Sequence, residues 1–440
     1  LLLAVLFLSA CGSDELPLAS NPEPEYCPVQ AVEAQTQTDA LHSRILVKLK
    51  PGRMRALRFL SAGVVSEQLN ENLFALEFLR GESIAQVKLL LGESVEFAEV
   101  DQLVYSTEIS NDELVGRQWA HEVVKSQAAW NLSAGEGTVV AVLDSGVDFE
   151  HPDLAGNIWR NHGESENGID DDGNGLVDDI HGWNFEGNNN RPVDPKSNHG
   201  THVAGTIGAV AHNGRGIAGH APRVKIMPLK FLGGDGSGRT SDAIRGIDYA
   251  IRMKAYVINA SWGSGARSAA LSQALDRARA AGILFVAAAG NSGQNNDQAG
   301  FYPAGYPHDN IVRVAASDRY DRLASFSNYG VASVDLAAPG LNIFSTLNGS
   351  SYGTKSGTSM AAPLVAGVLA SMMALRPDLK HQQVRGLLFD SVLVAKGLRG
   401  RVGTGGRVRA EEALKFARDA AGDYEPKPGP VGGCPSLAGI

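Results

Sequence analysis

The sequence predicts an α/β fold with a mainly parallel central sheet, preceded by a small α+β unit. Three observations carry that expectation. Apolar, β-rich runs recur at Thr138–Leu143, Val224–Leu229, Tyr256–Asn259, Ile283–Ala289 and Ile311–Ala315. Strands that are apolar throughout are covered on both faces, as in parallel sheets. Helical stretches such as Ser241–Arg252, Ser268–Ala281 and Ser359–Leu375 accompany them, and that alternation builds parallel sheets. Glycine is unevenly spread: of 51 residues, 5 fall in 1–110 and 46 in 111–440. A glycine-dense yet apolar region suggests many tight loops over a packed scaffold, where binding and catalytic groups tend to sit.

The elements follow in order. Residues 1–11 begin with LLLAVLFLSA and Cys11, an apolar stretch of signal-peptide length that is too short to span a bilayer. It reads as a truncated export signal. Residues 12–43 are polar with scattered Pro and Gln, and read as linker. Residues 44–106 form the small α+β unit. Arg44–Lys50 alternates as a strand, Phe74–Leu79 is a second strand, Ser83–Leu91 a helix and Val95–Val100 a third strand. A unit of about 60 residues is marginal by itself. Residues 111–418 form the main domain, and residues 419–440 a loose tail rich in Pro and Gly.

Composition excludes several classes. With 43% hydrophobic and 20% charged residues, the chain is neither disordered nor collagen-like. Three cysteines exclude a disulfide scaffold. Net charge is −9 and no basic patch stands out, so no nucleic-acid partner is expected. No run of 18 apolar residues appears, so no spanning helix is expected.

Three segments hold candidate chemistry. VVAVLDSGVD places Asp144 at the end of an apolar strand. NHGTHVAGTIGA places His199 at the start of a small-residue helix. SGTSMAAPLVAGV places Ser359 at the mouth of an apolar helix. A serine hydroxyl needs a base, a neutral imidazole suits that task, and a buried carboxylate orients the imidazole. The helix at Ser359 aims backbone N–H groups at a developing oxyanion, and Pro363 is expected in its first turn. In FVAAAGNSG, Asn291 ends a strand and offers an amide as second donor. Read singly, Asp144 is a strand-end cap, His199 with His202 a metal pair at i, i+3 spacing, and Ser359 a helix cap.

Taken together, these segments resemble the subtilase family of serine proteases, over about Gln118 to Arg407. GTSMAAP with HGTHVAG carries the resemblance, and the order Asp, His, Ser is the subtilisin order. The resemblance implies a three-layer subtilisin-like fold and a serine endopeptidase. In it Asp144 orients, His199 is base and acid, Ser359 is nucleophile and Asn291 stabilises the oxyanion. It further implies that a peptide substrate is held as an added strand between Gly236-Ser237-Gly238 and Ser261-Trp262-Gly263. FYPAGYP resembles the segment closing the primary specificity pocket, with Tyr302-Pro303 a candidate cis bond. Phe301 makes that pocket shallower if its ring points inward.

The stretch between Asp144 and His199 contains NGIDDDGNGLVDD. Asp170, Asp172, Asn174, Gly175 and Asp178 fit D-x-D-x-N-G-x-x-D, with Leu176 offering a carbonyl and Asp179 a further carboxylate. Alternating oxygens around a glycine turn suit Ca²⁺, and the crowded acidic side chains repel one another without a cation. His181 stands at the twelfth position, so this is not a full EF-hand. The alternative is a solvated acidic loop. Asp153 and Asn213 resemble ligands of another family calcium site.

Residues 44–106 sit where subtilases carry an inhibitory, folding-assisting prodomain, which implies self-cleavage within Tyr105–Asn111. The alternative is a permanent accessory domain. Leu8-Ser9-Ala10-Cys11 resembles a bacterial lipobox, which implies an exported envelope lipoprotein held to the membrane by a lipid on Cys11; the alternative is an ordinary cleaved signal and a secreted protein. Cys27 and Cys434 then form an even pair, either as a disulfide or as free thiols. The competing function is a catalytically silent subtilase serving as a binding lipoprotein.

Overall fold

The computed structural model describes residues 41–60, 64–101 and 110–426. The export signal with Cys11, almost all of the linker, Cys27, Cys434, the end of the tail and most of the Tyr105–Asn111 junction lie outside the described residues. The chain divides into two compact units after Val104.

The first unit is a four-stranded antiparallel sheet with one helix. Strands β1 (Leu41–Leu49), β2 (Val64–Gln68), β3 (Leu73–Ser83) and β4 (Val95–Val100) are ordered β2-β3-β1-β4. Alternation puts Ile45, Val47 and Leu49 of β1 in the core, with Phe74 and Leu76 of β3. Helix α1 (Ile84–Leu91) starts where Ser83 and Gln86 cap each other's backbone N–H groups. It buries Ile84, Val87 and Leu91 on one face. Two features differ from the sequence reading. Strand β1 begins at Leu41, inside the expected linker, because it pairs with Glu82 and Ser83 at the far end of β3. Strand β2 was not expected, because four of its five residues face solvent and give no apolar signal.

The second unit has a nine-stranded sheet. Its strands are β5 (Val139–Asp144), β6 (Trp183–Asn184), β7 (Lys225–Lys230), β8 (Val257–Ala260), β9 (Leu284–Ala288), β10 (Ile311–Ser317), β11 (Leu336–Pro339), β14 (Leu393–Val394) and β15 (Gly406–Arg407). Strands β12 (Ile343–Leu347) and β13 (Ser351–Lys355) form a separate hairpin. The sheet order is β14-β15-β11-β10-β9-β8-β5-β7-β6, and every pairing except β14 with β15 is parallel.

Helices α2 (His199–Gly208), α3 (Thr240–Arg252), α4 (Ala269–Ala280), α5 (Thr358–Leu375), α6 (His381–Asp390) and α7 (Ala410–Asp419) cover it. The strand pleat decides which layer each residue joins. Val140 and Val142 pack with Val203 and Ile207 of α2 and with Leu364 and Val365 of α5. Ala141 and Leu143 pack on the opposite side, with Ile247 of α3 and Leu275 of α4. The result is the expected three layers.

Two features of helix α5 bear on the sequence reading. By length and hydropathy it is apolar enough to cross a membrane, yet 83% of it is buried inside the protein. Its apolarity is that of a core helix. Pro363 is its sixth residue, beyond the first turn. Proline has no N–H, so the carbonyl four residues back, that of Ser359, loses its helical donor. The Ser261 hydroxyl donates to that carbonyl instead, at 2.9 Å.

The order of strands changes direction at β5: the chain runs from β5 to β7 on one side, then crosses to β8 on the other. Crevices open at the carboxyl ends of strands where a parallel sheet reverses in this way.

Candidate active site

Asp144 is the last residue of β5 and is fully buried. Its Oδ1 accepts the Ser145 N–H at 2.7 Å and lies 2.7 Å from Nδ1 of His199. His199 opens α2. Two glycines let these elements approach: a Cβ on Gly200 would stand 2.2 Å from the Gly146 carbonyl oxygen, and one on Gly146 would stand 2.6 Å from that of Pro192. The Ser145 hydroxyl accepts the Gly200 N–H at 3.1 Å and ties the helix start to the strand end.

Burial lowers the pKa of His199, but the charge of Asp144 and the hydrogen bond to it outweigh burial, and the net shift is upward. Lys355 opposes that rise. His202, one turn on, points elsewhere. Its Nε2 lies 2.9 Å from the Ile343 carbonyl, and burial pushes its pKa down to about 3. The two imidazoles therefore serve different partners, which removes the metal-pair reading.

Ser359 is the second residue of α5, and its hydroxyl donates to the Ser261 carbonyl at 3.0 Å. Asn291 accepts the Thr358 N–H at 2.8 Å and its hydroxyl at 2.9 Å, both through Oδ1. That fixes the amide with Nδ2 turned the other way. A Cβ built on Gly357 would lie 3.4 Å from Asn291 Nδ2 and 3.6 Å from the Ser359 nitrogen. The side-chain amide and a helix-start N–H thus border the same small space, which Gly357 leaves open.

His199, Asn291, Thr358 and Ser359 line one cleft of about 300 Å³. Gly236, Ser261, Trp262 and Gly263 line it too. Ser237 and Gly238 do not join that lining. Their backbone serves a local turn: the Ser237 carbonyl accepts the Gly233 N–H at 2.8 Å, and Gly238 bridges to Leu232. Of the expected segment Gly236-Ser237-Gly238, Gly236 is the residue on the cleft wall. Phe301 points inward. It lines the cleft, and its ring lies where a Cβ on Gly263 would stand at 2.4 Å. The Tyr302-Pro303 bond is cis.

The acidic loop gathers a different set of side chains from the one its spacing suggested. Carboxylate oxygens of Glu164, Asp172 and Asp179 lie within 4.8 Å of one another. Asp170 is not brought in: its two oxygens accept the N–H groups of Asn174 and Gly175. Asp178 accepts those of Asn167 and Gly168. Asn174 donates its amide to Asp179 at 2.9 Å rather than facing the cluster with oxygen. Glu164 was missed because it precedes the motif, and it reaches the loop by accepting the N–H groups of Asp172 and Asp178.

Glu164 and Asp179 are buried, and none of the three forms an ion pair among the described residues. Burial raises the pKa of the nearby Tyr249 phenol, and the charges of Asp179, Asp172 and Glu164 add to it. All three carboxylates accept hydrogen bonds from neutral N–H donors, but among the described residues no cationic side chain pairs with them, and a converging all-oxygen set without a counter-charge fits a hard cation. Asp153 is satisfied otherwise. It accepts from Asn213 Nδ2, the Ile217 N–H and the Tyr352 hydroxyl, and Asn213 Oδ1 is held by the Arg215 N–H.

The model of the subtilase family matches residues 135–405. Thermitase of Thermoactinomyces vulgaris is 36% identical over 68% of this chain and 96% of its own length. A thermophilic serine proteinase of Bacillus sp. (strain AK1) is 41% identical over 64% of this chain and 63% of its own. Subtilisin-like protease 1 of Plasmodium berghei is 34% identical over 73% of this chain. The chain spans 57% of the length of that relative. Among solved structures, a protease from Pseudoalteromonas arctica PAMC 21717 superposes with a TM-score of 0.59 at 32% identity, covering 70% of this chain and all of that one.

Proposed function

The chain belongs to the subtilase family, and from that premise we propose that it is a serine endopeptidase working through Asp144, His199 and Ser359. The observation that carries the reading is the 2.7 Å contact between His199 and a fully buried carboxylate, beside a helix-start serine in the same cleft. With Nδ1 bound to Asp144, Nε2 is the basic nitrogen. Rotation about its Cα–Cβ bond turns the Ser359 hydroxyl from the Ser261 carbonyl to His199. His199 takes the proton as Oγ attacks the peptide carbonyl, and the oxyanion is held by Asn291 Nδ2 and the Ser359 N–H. His199 then passes the proton to the leaving amine. Water repeats the sequence on the acyl-enzyme, and Ser359 is restored.

Labelling by a serine-directed fluorophosphonate tests this reading, and a chain that takes up no label is the silent binding lipoprotein instead. The label needs neutral His199. Its rate should fall as pH drops through the His199 pKa, which lies above the ordinary histidine value. Lys355 opposes protonation, so Lys355→Gln should move that acid limb to higher pH. A limb that does not move, or moves down, contradicts the assignment.

The substrate class follows from Phe301. A cleft of about 300 Å³ with an aromatic ring against Gly263 and Gly290 favours a small side chain before the scissile bond. Phe301→Gly should raise kcat/KM for peptides with a large aromatic residue there by on the order of tenfold or more. An unchanged cleavage profile would refute that role.

Ca²⁺ would be held by Glu164, Asp172 and Asp179, where it would neutralise the loop and take no part in the chemistry. We read the first unit as the chain's own inhibitory and folding-assisting prodomain, on its place in the sequence and its independent core. Export, with a lipid on Cys11 as membrane anchor, rests on residues 1–11.

A further inference from the structure

The apolar strand β10 carries one charged residue, Arg313, with 2% of its surface exposed. The triad does not use it. Its neighbours Val312 and Val314 face the layer of α2 and α5, so the pleat sends Arg313 to the other side.

The guanidinium meets three groups there. Nη1 donates to Asp335 at 3.1 Å, and Asp335 also accepts the Arg313 backbone N–H at 2.8 Å. Nε donates to the Ala304 carbonyl at 2.8 Å, and Nη2 to the Tyr306 carbonyl at 2.7 Å. A second arginine, Arg385 of α6, donates to the Ile311 carbonyl at 3.0 Å and to Asp335 at 3.2 Å. Asp335 is 1% exposed. Asp335 is shared between the buried Arg313 and the half-buried Arg385, and three backbone carbonyls supply the remaining acceptors.

Two of those carbonyls, Ala304 and Tyr306, belong to the loop that carries Phe301 into the cleft. The front of this loop pairs with the cleft wall: Tyr302 and Ser264 exchange N–H···O bonds of 2.7 and 2.8 Å. Its rear rests on Arg313. A planar fork of N–H donors can bind two carbonyls and a carboxylate at fixed angles, whereas an ammonium cannot. A core ion pair that served stability alone would need no bonds to this loop.

We propose that Arg313 is a positioning residue for substrate selection, clamping the Ala304–Tyr306 backbone so that the Phe301 ring sets the depth of the pocket. The proposal rests on the peptidase reading above. It places the determinant of selectivity partly in the strand behind the loop, beyond the residues that touch substrate.

The test uses the full chain with Arg313→Lys and Arg313→Ala. It compares peptides with a small or an aromatic residue before the scissile bond, and measures labelling by a small fluorophosphonate. In Arg313→Lys, KM for the small-residue peptide should rise on the order of tenfold with kcat within about twofold. Discrimination between the two peptides should narrow by a similar factor, while labelling stays at the wild-type rate. Millimolar guanidinium should restore KM in Arg313→Ala, and urea, which has the same shape without charge, should not. Normal labelling with unchanged KM and discrimination in Arg313→Lys overturns the clamp alone. So does a parallel fall of KM-independent labelling and kcat, the mark of general loss of packing. An unlabelled wild-type chain overturns the peptidase reading, and the clamp with it.

Discussion

Replacing Ser359 by alanine should lower peptide hydrolysis by about 10⁶-fold, the size known for the loss of the nucleophile in subtilisin. The fold should survive. The substitution removes one hydrogen bond, from the hydroxyl to the Ser261 carbonyl, worth about 1 kcal/mol. The Ser359 N–H and the Asn291 amide persist, so a residual rate about 10³–10⁴ above that in water should remain. The same variant tests self-processing. The wild-type chain should be shortened by a cut within Tyr105–Asn111, and the alanine variant should keep its full mass. Hydrolysis within tenfold of wild type would falsify the nucleophile assignment. A variant that is still cut at the junction would show that another protease does the processing.

Removal of calcium is the second large effect. A cation that binds only the native state at a thousand times its Kd stabilises it by about 4 kcal/mol. For a domain of this size that corresponds to a Tm about 6 °C lower after chelation with EDTA. The pattern among single substitutions is more informative than the size. Asp179→Asn and Glu164→Gln should abolish the EDTA response, because both carboxylates belong to the converging set. Asp170→Asn should retain it, because that carboxylate stands outside the converging set. Equal melting with and without EDTA in the wild-type chain would remove the calcium reading.

Legibility in the sequence followed burial in the middle of the sheet, although the buried β11, with two alanines and Pro339 among its four residues, was not expected. The five apolar runs correspond to β10, β9, β8, β5 and β7, five adjacent strands in the middle of the sheet. Strands covered on both faces must be apolar along their whole length, so they announce themselves. The edge strands β6 and β14, and β15 beside β14, are two residues long and β2 is largely exposed, so none carries a usable period. Arg313 was a visible anomaly, a charge inside an apolar strand, but its meaning depends on carbonyls seven and nine residues away.

The sequence by itself determined the fold class and the family, and it pointed to His199, Asn291 and Ser359 of the cleft. Each of those is written in local chemistry: an apolar strand ending in a carboxylate, a small-residue helix opening on histidine, an apolar helix opening on serine. Only the tertiary structure decided which carboxylates of the acidic loop converge, where the Phe301 ring lies and what Arg313 holds. A motif fixes spacing along the chain, whereas convergence depends on how the loop folds back on itself. In the acidic loop all of these carboxylates accept N–H donors, yet the set whose oxygens meet is Glu164, Asp172 and Asp179, and Glu164 comes from outside the motif. Which oxygens meet is settled only when the loop packs.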